Sequence, residues 1–311
     1  MSRTLSPGQS ADTLSYRSGV VAIIGPPNAG KSTLLNHFLG QKIAIVTPKP
    51  QTTRNRILGV LTGDAFQIIL LDTPGLHKPR EMLNREMVRI ALDTLAEADV
   101  VLFLADATVA DQKRLERLGD EFSVYLQQAT CPVVLALNKI DRLDKARLLP
   151  LMDWYRTLHP FADLVPVSAL QGEGTGLLLE SLVRLLPEGP RYYPDDIPTD
   201  ATERFIAAEI IREKVFLLTR DEVPYSTAVL IDSFQESEGG RPVVIHATIL
   251  VEQPSQKGII IGQRGKMLAE IRQKAVPDIE EMLDRRVTLR LWVKVKKKWT
   301  SNEQVLRELG L

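Results

Sequence analysis

Gly25-Pro26-Pro27-Asn28-Ala29-Gly30-Lys31-Ser32 follows an apolar run at 20–24 and leads into Thr33-Leu34-Leu35. A strand, a loop of the form G-x-x-x-x-G-K-S and a helix, in that order, are suited to holding the phosphates of a nucleotide. The glycines let consecutive backbone N–H groups curl around the phosphates at a helix N-terminus, and Lys31 reaches the β- and γ-phosphates. The Ser32 hydroxyl is placed to ligate Mg2+, with Thr33 in the same first helical turn. Asp72-Thr73-Pro74-Gly75 closes the strand-like run at 66–71. There an aspartate reaches Mg2+ through a water, and the Gly75 N–H meets the γ-phosphate. Asn138-Lys139-Ile140-Asp141 ends the run at 133–137, at the carboxyl edge where such sheets bind ligands. A carboxylate accepts hydrogen bonds, and guanine offers adjacent N1–H and N2–H donors that adenine lacks, so Asp141 favours guanine. Ser168-Ala169, after the run at 164–167, is the expected last contact, a backbone N–H facing guanine O6. The expected ligand is GTP, with GDP as product.

In this order the segments resemble the guanine-nucleotide motifs of the translation-factor-related GTPases. The resemblance implies GTP hydrolysis, with Lys31, Thr53 and Gly75 as the catalytic groups. It also implies that a threonine of Pro50-Gln51-Thr52-Thr53-Arg54 completes the Mg2+ shell and senses the γ-phosphate. Thr53 is preferred and Thr52 remains the alternative. Leu76, counted among the nucleotide contacts, stands where Ras-like proteins carry the glutamine that orients the attacking water. Leucine cannot hydrogen-bond water, so slow intrinsic hydrolysis is expected, with another agent organising the transition state. Asn28 matches the position that, in related GTPases with such a hydrophobic replacement, helps hold a potassium ion beside the phosphates. Supporting the loop turn is its alternative role.

A second constellation lies in the C-terminal third. Gly258-Ile259-Ile260-Ile261-Gly262-Gln263-Arg264-Gly265-Lys266 places a G-x-x-G between an apolar run and a helix. Such a loop, poor in side chains, lets a nucleic-acid backbone approach, while Ile260 on the apolar flank would hold splayed bases. Downstream come Arg285, Arg286, Arg290, Lys294, Lys296, Lys297 and Lys298, with Trp292 and Trp299 interspersed and no acid between 285 and 298. In a strand, Arg290, Trp292 and Lys294 share one face. The group reads as a phosphate-tracking surface; an edge strand protected by lysines is the alternative. Trp292 would stack on a base or, the commoner role, pack in a core. The candidate RNA contacts are Ile260, Gly262, Gln263, Arg264, Gly265, Lys266, Arg290, Lys294, Lys296, Lys297 and Lys298.

These residues need two scaffolds. Short β-branched runs at 21–24, 66–71, 100–105, 133–137 and 164–167 alternate with helical segments near 31–39 and 84–96. This is an α/β pattern, a mostly parallel sheet with helices on both faces. Proline and acid then concentrate at 186–198, as in a linker. Beyond it the pattern predicts a helix at 203–218, strands at 226–234 and 243–251, one or two helices (266–274, 278–283) and a strand at 287–295. That α+β order resembles a type II KH domain. Ser301 with Gln304 makes a capping box for a last short helix. The expected division is an N-terminal disordered extension, 1–17; a GTPase domain, 18–187; a linker, 188–200; a KH domain, 201–298; and a tail helix, 299–311.

The chain has 311 residues with 39 basic and 39 acidic side chains, so an RNA partner must be met by a local patch. Cys131, the single cysteine, excludes an internal disulfide and is expected to be a buried structural thiol. His37, His77, His159 and His246 lack metal-ligand spacing. No apolar run approaches bilayer length, and a cytoplasmic protein is expected.

The GTPase motifs, the linker, the helix around Glu209 to Lys214, the turn Val223-Pro224-Tyr225 and the 260–265 loop together resemble the Era family of bacterial GTPases. The resemblance covers nearly the whole chain after Arg17. It implies a monomeric switch in small-subunit (30S) assembly, its KH domain binding 16S ribosomal RNA near the 3′ end of the 30S precursor. Family members are also associated with the inner membrane, and nothing here suggests more than a peripheral contact. Two alternatives stand: a translation factor on mature ribosomes, and an RNA-binding protein whose nucleotide site is purely structural.

Overall fold

The computed structural model describes residues 15–75, 82–109, 111–235 and 241–311. The first part is a six-stranded sheet in the order β2-β3-β1-β4-β5-β6. Its strands are β1 (Arg17–Ile24), β2 (Ile57–Gly63), β3 (Phe66–Asp72), β4 (Val100–Asp106), β5 (Val133–Asn138) and β6 (Asp163–Val167). Neighbours pair in parallel except β2, which runs antiparallel to β3. β1, β4 and β5 are apolar almost end to end because α1 (Lys31–Leu39), α2 (Met82–Ala96), α3 (Gln112–Leu126), α4 (Leu148–Arg156) and α5 (Thr175–Leu185) cover both faces. β2 was not expected: two glycines dilute its β-branched signal, and it is made a strand by pairing with β3.

Arg17 opens β1 rather than ending an extension, and the Gly189 N–H donates to the Tyr16 carbonyl at 3.1 Å. The 188–200 segment lies against the sheet edge. Gln67 exchanges hydrogen bonds with the backbone of Tyr192 and Tyr193, and the Val60 N–H donates to Pro198 O at 2.8 Å.

The second part comprises α6 (Glu203–Leu218), β7 (Ala228–Gln235), β8 (Val243–Val251), α7 (Pro254–Ile261), α8 (Lys266–Leu283), β9 (Val287–Val295) and α9 (Glu303–Glu308). β8 is central, antiparallel to β7 and parallel to β9. Alternate residues Ile245, Ala247 and Ile249 of β8 and Leu289 and Val293 of β9 face Ile210, Ile260, Ile271 and Ile279 of the three helices in one core. The 258–261 stretch is thus the end of helix α7, not an extended apolar run. α8 is one helix, with Pro277 inside it. Asn302 rather than Ser301 caps α9, its Oδ1 accepting from Val305 N at 3.1 Å.

Helix α6 is buried nearly all round, Glu209 to Phe216 included. Such a helix lies between two packing partners: the three-stranded sheet on one side and the loop at 40–56 on the other.

Candidate nucleotide site and nucleic-acid loop

The phosphate loop is fixed by sterics. Gly25 and Gly30 have φ of 149° and 102°, and a Cβ on Gly30 would fall 2.2 Å from Asn138 Nδ2. A Cβ on Gly75 would stand 2.9 Å from the Pro27 backbone, so the 72–75 turn and the phosphate loop touch. Asn138, 2% exposed, donates from Nδ2 to Ala29 O at 2.7 Å and accepts Ala169 N–H at Oδ1 at 2.9 Å. It is a positioning residue that staples the phosphate loop to the 168–169 turn. The N–H of Ser168 donates to Glu173 O. Both candidates for the one backbone N–H expected to face guanine O6 are therefore engaged, and Ala169 reaches a base only by sharing its donor with Asn138. Lys139 Nζ donates to Asn28 O and Asp106 Oδ2, both at 2.7 Å. Burial works to raise the Asp106 carboxyl, but its bonds from Lys139 and Thr108 outweigh this and hold it below the usual range. The Asp141 carboxylate is exposed in the turn that follows β5.

Lys31 is buried, its Nζ donating to Gly25 O (3.2 Å) and Pro26 O (3.1 Å). Burial brings its ammonium down to about 8, although Asp72 pulls the other way. Ser32 Oγ is 2.8 Å from Thr53 Oγ1 and donates to Asp72 Oδ2 at 2.6 Å. Burial pushes the Asp72 carboxyl up to about 6 against the pull of Lys31, and its Oδ1 is buried without a hydrogen-bond partner. Two hydroxyls and an under-satisfied carboxylate in one place form a hard oxygen set suited to Mg2+. Thr52 points elsewhere: its Oγ1 donates to Lys49 O and meets Thr47 Oγ1 at 2.7 Å. Thr73 bonds Ile23 O instead of facing the cleft. Asn28 Nδ2 donates to Pro48 O at 2.9 Å, tying the phosphate loop to the 40–56 loop. A cleft of about 470 Å³ is bounded by Pro27, Asn28, Gly30, Lys31, Ser32, Thr33, Thr53 and Gly75. Ile45, Val46, Thr47, Pro48, Gln51, Asp106, Arg114 and Arg142 also line it; sequence reasoning assigned none of these a role at the site, and of them Asp106, at a strand's carboxyl end, had a positional signal. Leu76 lies outside the described residues, as do His77 and positions 1–14.

The 40–56 loop is gripped by the second domain. Arg54, 4% exposed, donates from Nη1 to Thr227 O (2.7 Å) and from Nη2 to Tyr225 O (2.7 Å) and Pro224 O (3.3 Å). Its guanidinium is brought down to about 9 by burial and by the neighbouring Arg212. Arg212 Nη2 donates to Thr52 O at 2.6 Å, Glu213 Oε1 accepts Val46 N–H, and Lys49 bonds the carbonyls of Phe216 and Thr219. At the C-terminus, Asn55 Nδ2 donates to Leu309 O and Gly310 O. Leu83 and Met87 of α2 pack with Trp299, Val305 and Leu306.

In the KH domain, Gly262 and Gly265 have φ of 70° and 79°, and a Cβ on Gly262 would meet Met267 at 2.7 Å. Gln263, Arg264 and Lys266 are exposed around this turn, the first of them beginning a 3-10 turn into α8. Ile260 is corrected: it is 0% exposed, turned into the core by the helical period of α7, and Ile259 is the exposed neighbour. Arg290 and Lys294 are exposed, on the sheet face opposite the helices, so the expected RNA set falls on two surfaces. Lys297 and Lys298 are exposed after β9, while Lys296 pairs with Glu308 at 3.6 Å. Trp299, not Trp292, is the core indole: it is 0% exposed and donates from Nε1 to Ser226 O, whereas Trp292 is 48% exposed. Cys131 is half-buried, with burial raising its thiol. Among the described residues no group of three or more His, Cys, Asp or Glu side chains is placed to hold a metal ion.

Residues 20–139 match the family described as 50S ribosome-binding GTPase, and residues 222–300 the KH domain. GTPase Era of Syntrophus aciditrophicus is 51% identical over 302 residues, 96% of each chain. The chain belongs to the Era family of GTPases. It is thus an enzyme that hydrolyses GTP. Era of Geobacter metallireducens is 52% identical over 95% of this chain and 98% of its own. Among Era structures, a variant from Aquifex aeolicus bound to GDP.AlF4- superposes with a TM-score of 0.89 at 42% identity, covering 94% of this chain and 99% of its own. An Era complex with MgGDPNP and nucleotides 1506–1542 of 16S ribosomal RNA gives 0.90 at 42% identity, covering 95% and 99%.

Proposed function

We propose that this GTPase is a nucleotide-driven switch in small ribosomal subunit assembly, binding 16S ribosomal RNA near its 3′ end through the 262–265 loop. One observation carries the switch: Thr53 and Arg54 are adjacent, yet the first side chain enters the nucleotide site and the second is buried in the KH domain. A nucleotide that moves Thr53 must strain or release the Arg54 clamp. The RNA target is supported by the relative held with nucleotides 1506–1542, to which this chain is similar over 99% of that relative's length, and by the match of residues 222–300 to the KH domain.

In this reading Ser32 and Thr53 ligate Mg2+ directly and Asp72 does so through water, consistent with the orphaned Asp72 Oδ1. The ion supplies charge neutralisation at the β- and γ-phosphates. Lys31 leaves the Gly25 and Pro26 carbonyls to meet those phosphates, the Gly75 N–H binds the γ-phosphate, and Asp141 accepts from guanine. With Leu76 in place of a water-orienting glutamine, intrinsic turnover is slow. Asn28, with Nδ2 committed to Pro48 O, keeps Oδ1 for a potassium ion. This reading puts a monomer in the cytoplasm, with at most a peripheral contact at the inner membrane; no helix among the described residues is long and apolar enough to cross a bilayer. RNA crosslinking and sequencing with GTP and with GDP tests it. Different footprints or affinities are expected, and identical ones would reject the switch.

A further inference from the structure

The KH sheet has a second face, turned away from the helices and from the Gly262 loop. Its lower end is closed: Ala228 and Leu250 pack with Trp299, Leu306 and α2. Its upper part is open. There Thr248 stands in register with Trp292 and His246 with Arg290, while Leu250 faces Lys294. Trp292 is 48% exposed and its ring centroid lies 5.3 Å from that of His246, at an interplanar angle of 37°. Strand alternation sets Arg290 and Lys294 on either side of the indole, both exposed. Asp232 of the neighbouring strand β7 accepts from Thr248 Oγ1 at 2.7 Å.

A large indole left half in water at the middle of a strand, with a ring at one side and a cation two residues away in each direction, has the parts of a stacking platform. Every base has a π-face, and cations spaced along the strand match successive phosphates. We propose that this outer face is a second contact surface for single-stranded RNA, with Trp292 stacking on a base and Arg290 and Lys294 on flanking phosphates. The proposal rests on the RNA-binding reading above but adds a surface that the loop at 262–265 cannot reach, since the two lie on opposite sides of the sheet.

The test uses the full chain and RNA of nucleotides 1506–1542 of 16S ribosomal RNA, with Kd measured by fluorescence anisotropy over a salt series. Trp292→Ala is expected to weaken binding by about 5- to 150-fold, the range of one base stack, and Trp292→Phe to recover most of it. Arg290→Ala combined with Lys294→Ala is expected to lower the slope of log K against log salt by about 1.4. GTP turnover, which involves none of these residues, reports that each variant is folded. Unchanged affinity and slope in these variants would overturn the proposal, as would loss of sedimentation with phosphatidylglycerol vesicles in place of any loss of RNA affinity. Gln263→Glu with Arg264→Glu separates the two readings. If this pair loses RNA while Trp292→Ala does not, only the second surface fails; if this pair too leaves affinity unchanged, the loop reading itself fails.

Discussion

Replacing Arg54 by alanine is expected to uncouple RNA binding from the nucleotide while leaving GTP binding intact. Its guanidinium donates to three carbonyls, those of Pro224, Tyr225 and Thr227, and lies 5.8 Å and 5.7 Å from the ring centroids of Phe216 and Trp299. Hydrogen bonds from a charged donor contribute about 1.5–3 kcal/mol each, and the cost of holding the guanidinium out of water takes back a share. A net of about 2–4 kcal/mol for docking the loop on the KH domain follows. Couplings between two sites typically amount to about 1–3 kcal/mol. The clamp is therefore large enough to carry the whole effect. The ion pairs of Lys42 with Glu213 and Asp278 have side chains up to 40% exposed and contribute less.

The assay is the Kd for the 16S fragment in the presence of GDPNP and of GDP. In the native chain the two values are expected to differ by about 5- to 150-fold, and in Arg54→Ala the ratio should fall to near one. Arg54→Lys keeps a charge but not the fork that spans three carbonyls, so its ratio should lie between the two. Nucleotide affinity serves as the control, because Arg54 does not line the nucleotide cleft. An unchanged ratio in the alanine variant, with nucleotide still bound, would refute the argument that the loop is read through this residue.

Three further outcomes are expected. Asp141→Asn should lose about 100-fold or more in GTP affinity, since two charge-assisted bonds to guanine vanish, and should gain affinity for xanthosine triphosphate, whose C2 carbonyl needs a donor; titration with labelled nucleotides reads both. Asp72 has its carboxyl raised to about 6, so the native state holds that proton more tightly than the unfolded chain. Its contribution is thus stabilising at low pH and falls away as pH rises from about 4 to about 6, and without nucleotide Asp72→Asn should gain about 2–3 kcal/mol over the native chain across that window, measured as the difference in urea midpoints. GTP turnover should be faster in potassium than in sodium buffer, and Asn28→Ala should abolish the difference; equal native rates in the two salts would remove the potassium reading.

The nucleotide site was legible because its chemistry sits in contiguous residues at strand ends. Gly30, Lys31 and Ser32 carry their meaning within one turn, and the structure adds only what they touch. Thr53 and Thr52, which sequence left open, are separated by a contact twenty-one positions away in the chain, between Thr53 and Ser32. Ile260 was misjudged because an apolar run bounded by glycines has no readable period: as a strand it exposes alternate residues, as helix α7 it turns Ile260 inward and Ile259 outward. The two tryptophans show the reverse case. Strand alternation correctly grouped Trp292 with Arg290 and Lys294, and only the general preference of indoles for cores argued otherwise. The Arg54 clamp left no local trace, since its acceptors lie 170 to 173 positions away.

The charges around the two sites bear on how the proposed clamp would act as a switch rather than as a fixed joint. Lys31 and Asp72 are both buried, and burial moves each toward its neutral form. Arg54 and Arg212 are likewise buried side by side, burial and the Arg212 charge both working against the Arg54 cation, and Arg212 Nη1 has no hydrogen-bond partner. Both clusters are thus held below their best arrangement in this structure. In the proposed reading a nucleotide with its cation would bring compensating charge to the first cluster through Ser32, Asp72 and Thr53. Since Thr52 O accepts from Arg212 and Thr53 is bonded to Ser32, the backbone between the two threonines belongs to both clusters at once. A rearrangement that satisfies one is then felt by the other across two residues of chain, which makes the distance between nucleotide and KH domain, in mechanical terms, very short.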